Sequence, residues 1–231
     1  MRLSLFLVLA LVTCRLMAAP MPAELAAALK DFRTEGPRGW GFTQTSTARA
    51  HSRVEQFNPV GRDSVQWKLV QQDGHAPTEE EAGKYKELKA RRSSNENAPN
   101  VKDQINPESC EIVSESADLG VYRFQLKTGD KDDQSAAFMR VTYTLHRPTQ
   151  TIEKIELAST EPFSPVFMVK IAEARTVMTY TRPDSGRPSL LKDVTVKIRG
   201  RAMWVKSLDE DMTVAYSDFV YAGKKPAPAS P

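Results

Sequence analysis

Alternating apolar and polar residues fill most of the second half of the chain. The clearest segment is Val121–Lys127, in which Tyr122, Phe124 and Leu126 alternate with polar neighbours. The same period of two recurs in five later segments: Met139–Arg147, Thr151–Ser159, Val166–Thr181, Asp193–Ser207 and Met212–Ala222. This period predicts β-strands with one dry face and one wet face, as in antiparallel sheets.

The first half opens with a helical pattern and then turns to strands. Leu25, Ala28, Leu29 and Phe32 have the spacing of one helical face, and Pro22 stands near the first turn. We expect this helix to end at Gly36-Pro37. Three segments with strand character follow: Gly39–Ser46, Ala48–Phe57 and Ser64–Gln72.

The stretch WKLVQQDGHAPTEEE, from Trp67 to Glu81, resembles an acid-base cluster, but most of it has a structural interpretation. Asp73-Gly74 is a turn dipeptide at the end of a strand. Thr78 and Glu81 have the spacing of a capping box, which predicts a helix from about Thr78 to Arg92. We interpret the polar residues 93–109 that follow as a surface loop.

These elements predict an α+β fold that is mostly β. No βαβ crossovers are interleaved with the strands, so the natural topology is a long antiparallel meander. A sheet of this size must twist. We expect a single curved antiparallel sheet, a half-barrel with an apolar concave face, wrapped around two or three helices.

The N-terminus has the layout of a secretory signal peptide. Arg2 precedes the apolar run Leu3–Val12, and small residues follow at Ala18 and Ala19. We therefore predict a signal peptide over residues 1–19 and export to the periplasm. Lipidation at Cys14 is the alternative, and it alone would attach the chain to a membrane.

One domain is expected to follow, over residues 20–222, with a disordered Pro/Ala-rich tail at 223–231. The formal net charge is +3, and Arg2 and Arg15 of the leader supply two of these charges. A nearly neutral mature chain gives no support to nucleic-acid binding. After cleavage Cys110 is the remaining cysteine, so packing must stabilise the fold, and we expect a monomer.

Side chains that could carry chemistry are few, and their spacing is unfavourable. His51, His75 and His146 lie in separate segments without metal-ligand spacing. Asp130, Asp132 and Asp133 resemble the start of a calcium loop, but its glycine is missing and Val141 stands where its glutamate belongs. We predict no catalytic residues, no metal site and no cofactor.

Aromatic residues on the predicted strands are the remaining candidates for a site. Five of them could line the concave face and bind an acyl chain or a peptide: Phe42, Trp67, Phe124, Tyr143 and Trp204. Ordinary core packing against the helices is the alternative for most of the five.

Three segments carry a resemblance to a known group: VEQFNPVGRDSVQWKLVQQDGHAPTEEE, PFSPVFMVKIAEARTVMTYT and VKIRGRAMWVKSLDEDMTVAYSDFVY. The chain resembles a group of exported bacterial proteins within the periplasmic lipoprotein-carrier superfamily, which has the LolA/LolB/RseB-like fold. The resemblance implies a curved antiparallel sheet around helices and, by analogy of fold, the binding of lipoproteins.

Two functions remain open. The first is a non-enzymatic periplasmic protein that holds a lipid acyl chain, a lipoprotein or another apolar ligand on the concave face. The second is an interaction module without a small ligand, which docks to an envelope protein through a sheet edge or the 93–109 loop. A hydrolase would require a pocket that contains at least two of His51, His75, His146 and Cys110.

Overall fold

The computed structural model describes residues 20–60, 66–93, 100–127, 135–203 and 206–223. The predicted leader, the acidic segment around Asp130 and most of the predicted tail lie outside these ranges. No helix in the described ranges is long and apolar enough to cross a membrane.

Within the described ranges the α-helices are short and lie in the first half of the chain. They are α1 (Ala23–Lys30), α2 (Glu79–Ser93) and α3 (Val101–Gln104). Strands occupy most of the rest: β1 (Trp40–Ala48), β2 (His51–Phe57), β3 (Trp67–Gln72), β4 (Glu111–Glu115), β5 (Leu119–Gln125), β6 (Met139–His146), β7 (Thr151–Ser159), β8 (Val169–Tyr180), β9 (Leu191–Ala202), β10 (Lys206–Ser207) and β11 (Glu210–Tyr221).

All eleven of these strands belong to one antiparallel sheet, with the order β3-β2-β1-β11-β9-β8-β7-β6-β5-β4 and with β10 beside β9. The prediction of a mostly β fold with one curved antiparallel sheet is confirmed. The topology is more specific than one meander: the meander β1 to β3 is joined to the later strands by pairing of β1 with β11. The consecutive strands β3 and β4 therefore form opposite edges of the sheet.

The main core lies between α1 and strands β5 to β9. Leu25 and Leu29 of α1 are buried against the sheet, and the aromatic side chains of Tyr122, Phe124 and Tyr143 are completely buried beneath them. We call the face that packs against α1 the inner face.

The segment 93–109 is more structured than the predicted surface loop. It contains α3 and a 3-10 turn at Pro107–Ser109. Ile105 and the neighbouring Cys110 are 2% and 1% exposed, so two apolar side chains fix the segment to the core. Polar composition concealed these anchors, because two buried residues are enough to hold a connection.

Other differences concern the ends of elements. Helix α1 ends at Lys30, several residues before Gly36. The short strand β4 was not predicted, the predicted segment Asp193–Ser207 forms two strands, β9 and β10, and β8 begins at Val169 rather than Val166. Strand β8 begins there because Val169 pairs with Ala202, the last residue of β9.

Candidate functional site

An aromatic cluster covers the inner face where β1, β2 and β3 meet β11. Phe42 is at its centre, with ring centroids 5.1 Å from Phe57, 5.7 Å from Trp67 and 5.3 Å from Tyr216. The register explains the grouping, because Phe42 pairs with Phe57, which in turn pairs with Trp67. Direct cross-strand neighbours have side chains on the same face.

A buried carboxylate lies beside this cluster. Glu55 of β2 is 4% exposed and is bound by three groups from two other elements. The Tyr85 hydroxyl donates to Glu55 Oε1 at 2.8 Å, Gln44 Nε2 donates to Oε2 at 3.0 Å, and Lys89 Nζ lies 2.9 Å from Oε1. A buried charge needs such partners, because desolvation without them is very costly.

Helix α2 is therefore attached to the sheet by polar and aromatic contacts together. Tyr85 and Lys89 are one helical turn apart and project to the same side. Lys89 Nζ also lies 3.6 Å from the centroid of the Trp67 ring, which is a cation-π contact. Burial, followed by the hydrogen bond to Glu55, raises the pKa of Tyr85, so its hydroxyl remains a donor.

The start of α2 matches the sequence prediction. Glu81 Oε2 accepts the Thr78 backbone N–H at 2.8 Å, and Thr78 Oγ1 accepts the Glu81 N–H at 3.3 Å. These reciprocal bonds confirm the capping box. They fix where the helix begins and hence the positions from which Tyr85 and Lys89 project.

A second row, of small and apolar side chains, crosses the inner face at the end of β1 away from this cluster. Pairing of β7, β8, β9, β11 and β1 aligns the residues of this row, which we call the inner row: Leu157, Thr176, Val196, Met212 and Ala48. All five are partly exposed. The neighbouring row in the same strands contains Ile155, Met178 and Val214, which are all buried.

Coverage explains this contrast. The buried row includes residues that pack against Leu25 and Leu29 of α1, whereas α2 covers the aromatic cluster on the other side. The inner row lies on the far side of the buried row from the aromatic cluster, because Val214 stands between Met212 and Tyr216 along β11. It therefore keeps apolar surface in contact with solvent on the face that a globular fold normally buries.

The five predicted site residues do not form one surface. Phe124 and Tyr143 are fully buried core residues, with rings 5.9 Å apart, and offer no accessible surface. Phe42 and Trp67 belong to the partly exposed aromatic cluster and are in edge-to-face contact. Trp204 lies outside the described residues. A ligand-binding role for these side chains stays a prediction.

The structure brings Asp73 close to a histidine that the sequence does not place near it. His51 Nδ1 lies 3.2 Å from Asp73 Oδ2, and the Ser52 N–H donates to Oδ1 at 2.7 Å. These hydrogen bonds, with the Ser52 N–H first among them, lower the pKa of Asp73 to about 2. The arrangement stabilises the β2–β3 hairpin, in which Asp73 has a positive φ of 48°.

The remaining histidines also have structural partners. His75 Nε2 lies 4.0 Å from a Glu81 carboxylate oxygen. His146, expected on the wet face, is instead 8% exposed, with Nδ1 2.7 Å from Thr149 Oγ1. Strand β6 pairs with β5 without interruption through His146, so this side chain is buried while it stays on the face opposite Tyr143 and Leu145. Among the residues that the structure covers, no group of three His, Cys, Asp or Glu could hold a metal ion.

Two shallow cavities flank α1. The first, of about 380 Å³, is lined by residues that include Leu29, Lys30, Lys102 and Lys127, and the second, of about 250 Å³, by residues that include Phe32 and Tyr180. Neither has a histidine or a cysteine in its lining, and neither includes a predicted site residue. Burial also raises the pKa of the Cys110 thiol, which makes its thiolate less available.

Sequence reasoning missed Glu55, Lys89 and Gln44. A signal for two of them was present: Gln44 is two residues from Phe42, and Glu55 is two from Phe57, so each is a polar residue on an apolar face. Lys89 follows Tyr85 at i+4, but the sequence does not show which strand this side of α2 covers.

The comparisons with known proteins identify no relative: no protein-family model, no curated protein and no solved structure matches this chain.

Proposed function

We propose that this chain is a non-enzymatic periplasmic protein that binds an apolar group, such as a lipid acyl chain or the acylated end of a lipoprotein, on the inner face of its sheet. The observation that carries the proposal is the inner row, Leu157 to Ala48 across five strands, which remains partly exposed beside the buried row. The resemblance to periplasmic lipoprotein carriers and the predicted signal peptide support the same function.

An acyl chain suits this surface in shape and chemistry. Neighbouring strands are about 4.8 Å apart, so the five-strand row extends for roughly 20 Å. The lining is aliphatic, with Thr176 as its polar member, and removal of such surface from water stabilises a complex by about 25 cal/mol per Å².

Native mass spectrometry of protein purified from its producing cells tests this function. We expect adducts with the masses of lipids or acylated peptides, and uptake of added fatty acid. Val196→Asp, which introduces a charge into the inner row, should reduce uptake at least tenfold. Thr195→Asp is the matched control, because Thr195 is exposed on the opposite face of the same strand.

The carrier proposal fails if the protein has a clean mass and takes up no fatty acid or acylated peptide. Equal loss of uptake in Val196→Asp and Thr195→Asp would also contradict a site on the inner face. Circular dichroism of both variants should show that each retains the β-sheet.

The second candidate is an interaction module of the cell envelope. One observation favours it: β4 is an edge strand, and its residues Ile112 and Val113 are 44% and 42% exposed. An edge with apolar side chains can add a strand from another protein. Cross-linking in intact cells followed by pull-down separates the candidates, because a carrier should recover lipids or lipoproteins and a module one defined protein.

A further inference from the structure

Two neighbouring loops expose large apolar side chains at one end of the sheet. Val166, Phe167 and Met168 precede β8, and Met203 follows β9. Their exposed fractions are 60%, 91%, 45% and 58%, in that order. We call these four residues the apolar tip. An isolated exposed apolar residue is ordinary in a folded protein, but four in contiguous loops indicate an interaction surface.

Backbone hydrogen bonds hold the two loops of the apolar tip in place. Met203 N–H donates to the Met168 carbonyl at 2.8 Å, which joins the two loops. Phe163 and Ile171 exchange two backbone hydrogen bonds of 2.9 and 2.8 Å below the tip. The Phe163 ring stacks on the Phe138 ring at a centroid distance of 5.6 Å. Because these hydrogen bonds already order the loops, binding through the apolar side chains should cost little conformational entropy of the backbone.

Basic side chains surround the apolar tip. Lys170 and Arg201 are cross-strand neighbours directly behind it, and Lys206 pairs with the residue next to Arg201. All three are exposed, and within the described ranges none forms an ion pair with a carboxylate. Glu161 is the acidic residue at the base of the same loop, and Asp209 nearby already accepts the Gly200 N–H.

We propose that the apolar tip is a docking site for an anionic phospholipid bilayer. The protruding Phe167 and its apolar neighbours would enter the interfacial layer, while Lys170, Arg201 and Lys206 contact lipid phosphates. Stable attachment to a bilayer takes two signals, and the tip combines an apolar insertion with a basic patch. The basic side chains beside the apolar tip favour an anionic membrane over an apolar groove of a protein as the partner. This mode of attachment does not require lipidation of Cys14.

Flotation of the purified protein with lipid vesicles tests this site. We expect binding to vesicles that contain phosphatidylglycerol, weaker binding to vesicles of phosphatidylcholine alone, and a loss of binding as salt is raised. Phe167→Ser should weaken binding roughly tenfold, because a fully exposed aromatic anchor is removed. Replacement of Lys170, Arg201 and Lys206 by glutamine should weaken it about fivefold for each charge.

Matched control variants distinguish an effect of the apolar tip from a general effect of losing an exposed apolar side chain or three positive charges. Val220→Ser removes another exposed apolar side chain, 63% exposed, at the opposite end of β11 from the end that pairs with β9 near the tip. Replacement of Lys68, Lys86 and Lys192 by glutamine removes the same charge from other exposed positions. Both controls should bind like the wild-type protein. Any contribution of the N-terminal segment is common to all variants and cancels in the comparison.

A second measurement does not depend on affinity. A fluorophore sensitive to polarity can be attached at Phe167→Cys in a protein that also carries Cys14→Ser, since the remaining Cys110 is buried. Its emission should shift to the blue on anionic vesicles. The proposal is overturned if the wild-type protein fails to bind these vesicles, if binding is unchanged in both tip variants, or if the fluorophore stays in water when the protein is bound.

Discussion

Glu55 shows how one residue can connect a helix to a sheet. Its carboxylate is the common partner of Tyr85, Lys89 and Gln44, and it is almost completely buried. The attraction between buried charges roughly offsets their desolvation, so the intact set adds little net stability. Loss of one member, however, leaves an uncompensated polar group in an apolar surrounding.

This asymmetry makes a prediction for α2. Lys89→Met should lower the free energy of unfolding by about 3 kcal/mol, since it leaves Glu55 without its cation. Tyr85→Phe removes one hydrogen bond and should cost about 1 to 2 kcal/mol. Urea denaturation of both single variants and the double variant measures their coupling. A purely additive double variant would show that the two side chains act independently, contrary to the shared carboxylate.

Glu24 provides a second polar contact with the sheet, from a partly buried position on α1. The Tyr122 hydroxyl donates to Glu24 Oε1 at 2.8 Å, and Arg147 Nε lies 3.0 Å from the same oxygen. The hydrogen bond from Tyr122, followed by that from Arg147, lowers the pKa of Glu24 below its ordinary 4.5. The folded state therefore binds the proton less tightly than the unfolded chain does.

The sign of the resulting pH dependence follows from linkage. A lowered carboxyl pKa contributes stability above 4.5 and loses that contribution as the pH falls through the folded-state value. Glu24→Gln should therefore show a smaller loss of stability than the wild-type protein between about pH 5 and pH 3. Thermal melts across this range measure the difference. Parallel pH profiles for the two proteins would contradict the role of Glu24.

For individual strands and helices, the space around a glycine differs between a packed strand and the exposed surface of a helix. A Cβ at Gly120 in β5 would lie 2.3 to 2.7 Å from atoms of the buried Tyr122 side chain, whereas a Cβ at Gly83 in α2 meets nothing within 4 Å. Tyr122 lies over Gly120 because residues two apart in a strand share a face.

The two glycines should respond oppositely to the same substitution. Gly120→Ala should destabilise the protein by about 2 kcal/mol, because Tyr122 must move within a close-packed core. Gly83→Ala should stabilise it by up to about 1 kcal/mol, because alanine is the better helix former. Chemical denaturation of both variants measures these changes. A stable Gly120→Ala protein would mean that Tyr122 has room to move.

At the scale of the whole molecule, the pairing of β1 with β11 makes one sheet from two meanders. The strands β6, β7 and β8 are central in the part covered by α1, whereas β3 and β4 form the two edges. Local opening requires the loss of fewer contacts at an edge than in the centre.

Hydrogen exchange should follow this order. Amides of β6 to β8 should exchange at rates set by global unfolding, and those of β4 should exchange sooner. Mass spectrometry of peptides from the exchanged protein measures both regions. Equal protection of β4 would indicate that its free edge is covered by another chain in solution, which would favour the interaction module.

The class of fold and several local features could be predicted from the amino-acid sequence. Alternation in β5, β6 and β7 is strong because one face of each strand is wet, so these strands and the antiparallel sheet were predictable. The capping box at Thr78 and Glu81 was equally predictable, because its bonds join residues three positions apart.

Which apolar residues are covered could not be predicted in this way, because it depends on how the helices pack against the sheet. Phe124 and Leu157 both occupy apolar positions of alternating strands. Phe124 is completely buried in the core beneath α1, whereas Leu157 remains partly exposed. The partnership of Glu55 with Lys89, 34 positions later, likewise depends on where α2 crosses the sheet. Strand periodicity reports which face a residue occupies, but coverage of that face depends on contacts between segments distant in sequence.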